Sequence, residues 1–239
     1  MRSLRNLPLS ILGGRRGFSG FSSLSPKSLC DIVKLNKFAS ESSDKCKEIW
    51  ETYHALTSSA GGTTIRKEAC QAMMQRAKTC KTFIHPVFKL AGTDNAYLVL
   101  LSQFQPPNYF LFTFLEEYRQ NPATAQPWMS VAVYLDLLES KKIGLIRADF
   151  MPSISKAEAK VLVDMLVASY TVAPMGGSYE KYLEAFNLNP DDFNFDDYIF
   201  ETRETFRHRF LEENHEAQLQ RLVQDVDKNQ KQLEKLENK

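Results

Sequence analysis

The spacing of apolar residues changes character near residue 81. Before that point, apolar positions recur every three or four residues, as in a helix. Ser42 or Ser43 is placed to cap a helix that ends near Leu56, and a second helix is predicted from Thr64 to Cys80. Residues 57–63, Thr-Ser-Ser-Ala-Gly-Gly-Thr, have the composition of a loop. The pattern therefore predicts a helical arm over residues 26–80, loosely tied to the rest.

Beyond residue 81 the pattern is that of short strands with brief connections. Pro86 indicates an edge strand or an entry point, because proline cannot donate to a sheet. Gln105-Pro106-Pro107-Asn108 is a turn that predicts a hairpin between its neighbours. Short connections between consecutive strands favour a largely antiparallel sheet. The predicted strands are Phe83–Phe88, Ala96–Phe104, Tyr109–Phe114, Trp128–Leu135 and Ile143–Phe150.

Helices are predicted to flank this sheet. Ser155 and Glu158 form a capping box before a helix with a buried apolar stripe. Another helix covers Tyr179–Asn187, with Asn187 as its stop. The fold class is thus α+β: a largely antiparallel sheet flanked by helices, in a domain over residues 81–200.

A long polar helix is predicted from Glu201 to Lys239, a stretch without glycine or proline. A heptad seam there leaves two interpretations open, a solvated helix or a partner-binding coiled coil. Its apolar positions are Leu219, Leu222, Val226, Leu233 and Leu236.

The amino terminus has the composition of an organelle import signal. Residues 1–18 contain four arginines and no acid, and the first acid is Asp31. We expect a mitochondrial transit peptide over 1–18; a plastid signal or a basic tail without targeting meaning are the alternatives.

The whole chain has net charge +1, which leaves −3 after residue 18. A slightly acidic chain disfavours nucleic-acid binding. The longest apolar run, Ala96–Leu101, is too short to insert across a membrane.

No complete catalytic or metal-binding motif is present in the sequence. Gly61-Gly62-Thr63-Thr64 lacks the lysine of a phosphate-binding loop, and the four cysteines form no CxxC pair. We therefore predict no catalytic residue, metal or cofactor. A dispersed site that uses a thiol and His85 stays open as an alternative. Arg147 and Asp149, at a strand end, are predicted to form a buried ion pair that links the sheet to a helix.

Two segments are unusually aromatic. In Tyr109–Phe114 both faces of the strand are apolar, so one face must meet a helix layer or a partner. In Asp191–Asp197 four acids bracket Phe193 and Phe195. These segments supply the candidate partner-binding residues Phe112, Leu115, Tyr118, Phe193 and Phe195.

Four motifs follow one another in a fixed order over residues 28–200. They are Ile49–His54 (Ile-Trp-Glu-Thr-Tyr-His), Phe112–Tyr118 (Phe-Thr-Phe-Leu-Glu-Glu-Tyr), Tyr134–Leu137 followed by Lys141–Asp149, and Phe186–Asn187 followed by Pro190–Phe195. In their order and approximate spacing these motifs resemble the mitochondrial ATP synthase assembly factor 1 family.

The resemblance implies a chaperone of the mitochondrial matrix, not an enzyme. Such a protein binds unassembled ATP synthase catalytic beta subunit until alpha subunit replaces it, and we expect it to act as a monomer. The segment from Glu201 onward is longer than the family's usual ending. A small matrix enzyme with a dispersed site and a coiled-coil scaffold are the alternative functions.

Overall fold

The computed structural model describes residues 26–88, 96–171 and 179–205. Its centre is a six-stranded, curled antiparallel sheet. The strands are β1 (Ala60–Arg66), β2 (Thr82–Phe88), β3 (Tyr97–Gln105), β4 (Tyr109–Phe114), β5 (Pro127–Tyr134) and β6 (Ile143–Phe150). Their order in the sheet is β1-β6-β5-β4-β3-β2. The predicted α+β class, the β3–β4 hairpin and the edge position of the strand with Pro86 are confirmed.

Two of the longer helices begin at a side-chain cap. The Ser42 hydroxyl accepts from the Lys45 amide at the start of α3 (Ser43–Ala55), and Ser155 and Glu158 form the predicted capping box of α7 (Lys156–Tyr170). A 3₁₀ turn, Pro190–Asp192, precedes α9, which covers residues 195–205. The other helices are α1 (Leu29–Ile32), α2 (Leu35–Ser40), α4 (Lys67–Thr79), α5 (Leu115–Gln120), α6 (Leu138–Lys141) and α8 (Glu180–Leu188).

Each face of the sheet has its own helix layer. Strand β6 shows the division, because Ile143 and Leu145 pack with Trp50 of α3, whereas Ile146 and Ala148 belong to the main core under α4, α7 and α8. The alternation follows from the two-residue period of a strand. The stripe predicted on α7, which includes Leu162 and Leu166, is buried in that core.

The predicted loop over residues 57–63 is wrong for most of its length. Residues 60–66 form β1, which pairs antiparallel with β6 from Ala60 opposite Asp149 to Arg66 opposite Ile143. Helix α4 accordingly begins at Lys67 and not at Thr64. The segment predicted as a helical arm therefore contributes one strand to the central sheet.

Several sequence predictions fall outside the described residues. The transit peptide over 1–18 is one, and the heptad seam between Leu219 and Leu236 is another. Of the predicted tail helix, residues 201–205 are described, and they are helical.

Candidate functional site

The described part of the chain contains no cluster of three or more His, Cys, Asp or Glu side chains that could hold a metal ion. None of its helices is long and apolar enough to cross a membrane. All four cysteines are free thiols; Cys46, Cys70 and Cys80 are buried, and Cys30 is exposed. Burial raises the pKa of Cys70 to about 11, so this thiol stays protonated.

His85, which the alternative of a dispersed site would use together with a thiol, lies in the core of the protein. It is fully buried on β2, where its Nε2 lies 2.9 Å from the Ser102 hydroxyl and its ring packs on Phe83 and Phe112. Burial lowers the pKa of His85 to about 3. A substrate cannot reach this ring in the described fold, so the geometry gives no support to a catalytic role.

A buried polar cluster joins two of the sequence motifs across the sheet. Arg147 of β6 makes two hydrogen bonds to the Asp149 carboxylate, at 2.8 and 2.6 Å. Its Nη1 also lies 3.0 Å from Nε2 of His54 on α3. The predicted link between the sheet and a helix is confirmed, although the histidine partner was not foreseen.

The hydrogen bonds of the cluster fix the tautomer of His54. Nδ1 lies 2.7 Å from the Trp50 carbonyl, and because a carbonyl can only accept, Nδ1 must carry the proton. Nε2 is then free to accept from Arg147. Burial lowers the pKa of His54, which keeps the ring neutral. Burial alone would lower the pKa of Arg147, but the hydrogen bonds and charge of Asp149 outweigh it and raise the pKa, so the guanidinium stays charged.

Gly62 of β1 lets this cluster pack tightly against the sheet. A Cβ at this position would lie 2.4 Å from Nδ1 of His54 and 2.9 Å from Nε1 of Trp50. The indole Nε1 also donates to the Ile146 carbonyl at 3.0 Å, so it is held in place. Only glycine fits here, and this close approach explains the residue that suggested a loop in the sequence.

The five predicted partner-binding residues differ in accessibility. Phe112 is fully buried and Leu115 is 3% exposed. Tyr118 of α5 is half-buried, and its hydroxyl accepts a hydrogen bond from Gln103 on the face of the sheet opposite Phe112. Phe112 and Leu115 therefore support the fold from inside, whereas Tyr118 is partly accessible at the surface.

Phe193 and Phe195 are half-buried and contribute to the core from its rim. The Phe193 ring contacts Phe83, Phe186 and Tyr198 at centroid distances of 6.5, 5.3 and 5.9 Å. Phe195 packs partly against the small cluster around Phe88. All four neighbouring acids are exposed: Asp191, Asp192, Asp196 and Asp197.

The aromatic residues around Phe193 lie beside β2. Polar side chains from α8 and α9 occupy the free edge of that strand. The Asn187 amide donates to the Thr82 carbonyl at 2.7 Å and accepts from the Thr82 amide at 3.4 Å. The Tyr198 hydroxyl donates to the Ile84 carbonyl at 2.7 Å. Pro86, two residues further, has no amide proton to offer. Three successive outward-facing residues of β2 are thus blocked against further pairing.

Comparison with known proteins identifies the family of this chain. A search of curated proteins gave no match. The family model described as ATP11 protein matches residues 19–199, which include the buried cluster, the sheet and the helices that seal β2. The family is one of assembly chaperones, is mitochondrial in general, and has a role in ATP synthase assembly. The chain belongs to the ATP11 protein family, which is the ATP synthase assembly factor 1 family that its motifs resemble.

Proposed function

We propose that this protein is a molecular chaperone of the mitochondrial matrix that binds the unassembled catalytic beta subunit of ATP synthase. It keeps that subunit soluble until alpha subunit takes its place. The observation that carries the proposal is the family match over residues 19–199. The match begins immediately after the segment predicted to be an import signal, which supports targeting to the mitochondrion.

The geometry supports a function at the surface. The polar side chains that sequence analysis singled out for chemistry are held inside the fold, His85 by Ser102 and Arg147 by Asp149 and His54. An orphan subunit of an oligomer exposes an apolar interface, and a chaperone must cover that interface yet release it. Exposed backbone and half-buried apolar side chains suit such reversible binding better than an enclosed site does.

Of the candidate contacts, Tyr118, Phe193 and Phe195 remain the most accessible, because each residue is only half-buried. The exposed acids around Phe193 and Phe195 are placed to orient a partner by charge. Phe112 and Leu115 would act indirectly, by holding β4 and α5 in position.

The test is recovery of beta subunit from matrix extract with the tagged full-length chain. We expect beta subunit to be enriched, and enriched further when alpha subunit is depleted, because the two compete for one interface. The purified chain should also reduce light scattering from isolated beta subunit at equimolar concentration, whereas an unrelated matrix protein of similar size should not. Failure to enrich beta subunit even without alpha subunit would refute the proposal.

A further inference from the structure

The sheet has a second edge, at β1, and its hydrogen-bonding direction can be read from the ladder. The Lys67 amide donates to the Lys142 carbonyl at 3.0 Å, and the Ser59 carbonyl accepts from the Phe150 amide at 3.2 Å. Residues 59 and 67 therefore face β6, and so do the odd-numbered residues between them. The even-numbered residues, Gly62 and Thr64 among them, point their N–H and C=O groups away from the sheet.

These outward groups have no partner within the described part of the chain. Within residues 26–88, 96–171 and 179–205, neither a backbone nor a side-chain hydrogen bond reaches the outward amides and carbonyls of Gly62 and Thr64. Arg66 is the N-cap of α4, so its carbonyl belongs to the first turn of that helix and only its amide points out from the edge. Ala60 is fully buried, but Gly62 and Thr64 are half-buried and Arg66 is exposed. The accessible part of the edge thus offers the amides and carbonyls of Gly62 and Thr64 and the amide of Arg66.

The β1 edge lacks the features that proteins use to prevent edge pairing. Its sequence, Ala-Gly-Gly-Thr-Thr-Ile-Arg, has no proline and a single charge at its last residue. A Cβ added to Gly61 would meet nothing within 4 Å, so one face of the strand is also open at this residue. In the same molecule, β2 is blocked at three successive outward positions. The same fold therefore blocks the β2 edge and leaves the β1 edge available for pairing.

The β1 edge is also held in a fixed shape. The ladder with β6 runs along the whole strand, from Ala60 to Arg66. On one face, His54 and Trp50 lie against Gly62 so closely that no side chain fits between them. A strand that is already ordered loses little conformational entropy when another strand pairs with it, which favours binding.

We propose that the β1 edge binds an extended segment of the unassembled beta subunit, which adds to the sheet as a seventh strand. An extended strand is the occupant because it alone presents donors and acceptors at the two-residue spacing of Gly62, Thr64 and the Arg66 amide. Backbone pairing depends little on the side chains of the bound segment, and a few hydrogen bonds break easily when the client is released. Both properties suit a chaperone that must release its client. The proposal rests on the proposed function and assigns it a surface.

Thr64→Pro tests the proposal, because it removes an outward amide without removing a β1–β6 hydrogen bond. Proline is tolerated at such positions of an edge strand. Thr64→Val is the matched control, since it keeps the amide and a β-branched side chain. We expect Thr64→Pro to weaken binding of isolated beta subunit about tenfold, through the lost hydrogen bond and the bulk of the ring, and Thr64→Val by less than about twofold.

The outcomes separate this inference from the proposed function. If the unaltered chain does not bind beta subunit, the proposed function fails. If it binds, and folded Thr64→Pro binds equally well, only the β1 edge is refuted. A dimer of the unaltered chain that Thr64→Pro dissolves, with beta subunit binding unchanged, would also refute it, because the edge would then serve a second copy.

If Thr64→Pro does not fold, a photo-crosslinker placed on β1 tests whether this edge binds the beta subunit. Benzophenone in place of Arg66, at the end of β1, should crosslink to one contiguous segment of beta subunit. The same group in place of Lys81, exposed beside the blocked β2 edge, is the control and should give at least about tenfold less product. Equal yields at both positions, or products scattered over the beta subunit, would overturn the proposal.

Discussion

The two edges of the sheet differ in what lies beside them. At β2, the Asn187 side-chain amide pairs with the Thr82 backbone as a neighbouring strand would. The Tyr198 hydroxyl donates a hydrogen bond to the Ile84 carbonyl, and Pro86 has no backbone N–H to donate. At β1, the outward groups of Gly62 and Thr64 have no such partner among the residues that the structure describes.

The difference between the edges indicates that the β2 edge is protected against pairing, whereas the β1 edge is available to bind another chain. An open edge is a risk of aggregation, so a fold that leaves one open must gain something from it. Residues from two distant motifs, Trp50 and His54 on α3 and Arg147 on β6, support β1 from behind. We infer that the buried cluster stabilises the surface to which a client binds.

The largest expected effect comes from Arg147→Met, which removes the centre of the cluster behind β1. The half-buried Asp149 carboxylate and the buried Nε2 of His54 would both lose their partner. Breaking a buried ion pair on one side lowers the free energy of unfolding by about 3–5 kcal/mol. Urea denaturation measures the loss. Arg119→Met, on an exposed pair with Glu116, is the control and should change stability by about 0.5 kcal/mol or less. Equal effects would show that the cluster does not support the fold.

Gly62→Ala and Gly61→Ala are a matched pair on adjacent residues of β1. The first forces a methyl group into His54 and Trp50, and we expect a loss of about 2–3 kcal/mol. The second enters open space and should be neutral or stabilise by up to about 1 kcal/mol, because alanine has fewer unfolded conformations. Thermal and urea unfolding measure both. If the two variants lost stability alike, the close packing of α3 on β1 would be wrong.

Asn187→Ala opens the β2 edge. It leaves the amide and carbonyl of Thr82 without their partner, and we expect the free energy of unfolding to fall by about 2 kcal/mol. Self-association should also increase, because a second edge becomes available for pairing. Asn189→Ala, at an exposed residue two positions further, is the control. Urea denaturation and analytical ultracentrifugation measure the two effects. A variant as stable and as monomeric as the control would contradict the sealing role of Asn187.

The smallest effect at neutral pH is a pH dependence from His85 on β2, which grows only as the solution is acidified. Its pKa is about 3 in the folded protein and about 6.5 in the unfolded chain, so acid favours unfolding. This contribution to stability is complete above about pH 6.5 and is lost as pH falls toward 3, by up to about 1.4 kcal/mol per pH unit. His85→Gln should flatten the dependence of unfolding free energy on pH between about 6.5 and 5. An unchanged slope would show that His85 is not buried in its neutral form.

Local patterns predicted most of the sheet but not its open edge. The strands from β2 to β6 contain runs of branched and aromatic residues, which predict strands. The capping box of Ser155 and Glu158 predicts the start of α7. Strand β1 was missed because Gly61-Gly62 has the composition of a turn, and its pairing with β6 lies about eighty residues away in sequence. Gly62 is explained only by the approach of α3, which is a tertiary contact.

The buried cluster and the sealed edge could be predicted in part. Arg147 and Asp149 are two residues apart on one strand, so their pairing follows from local geometry, whereas His54 comes from a distant helix. Asn187 was predicted as the stop of its helix, but α8 continues to Leu188 and the Asn187 side chain reaches Thr82. Only the folded chain reveals such a contact, because no local signal marks it.

Residue-resolved hydrogen exchange, of the chain alone and bound to isolated beta subunit, tests the difference between the edges most directly. In the free chain, the amides of Gly62, Thr64 and Arg66 should exchange quickly, while the Thr82 amide is protected by Asn187. In the complex, the three β1 amides should slow by about tenfold or more and Thr82 should not change. If the complex forms and the β1 amides exchange as fast as before, the β1 edge is not the surface that binds the client.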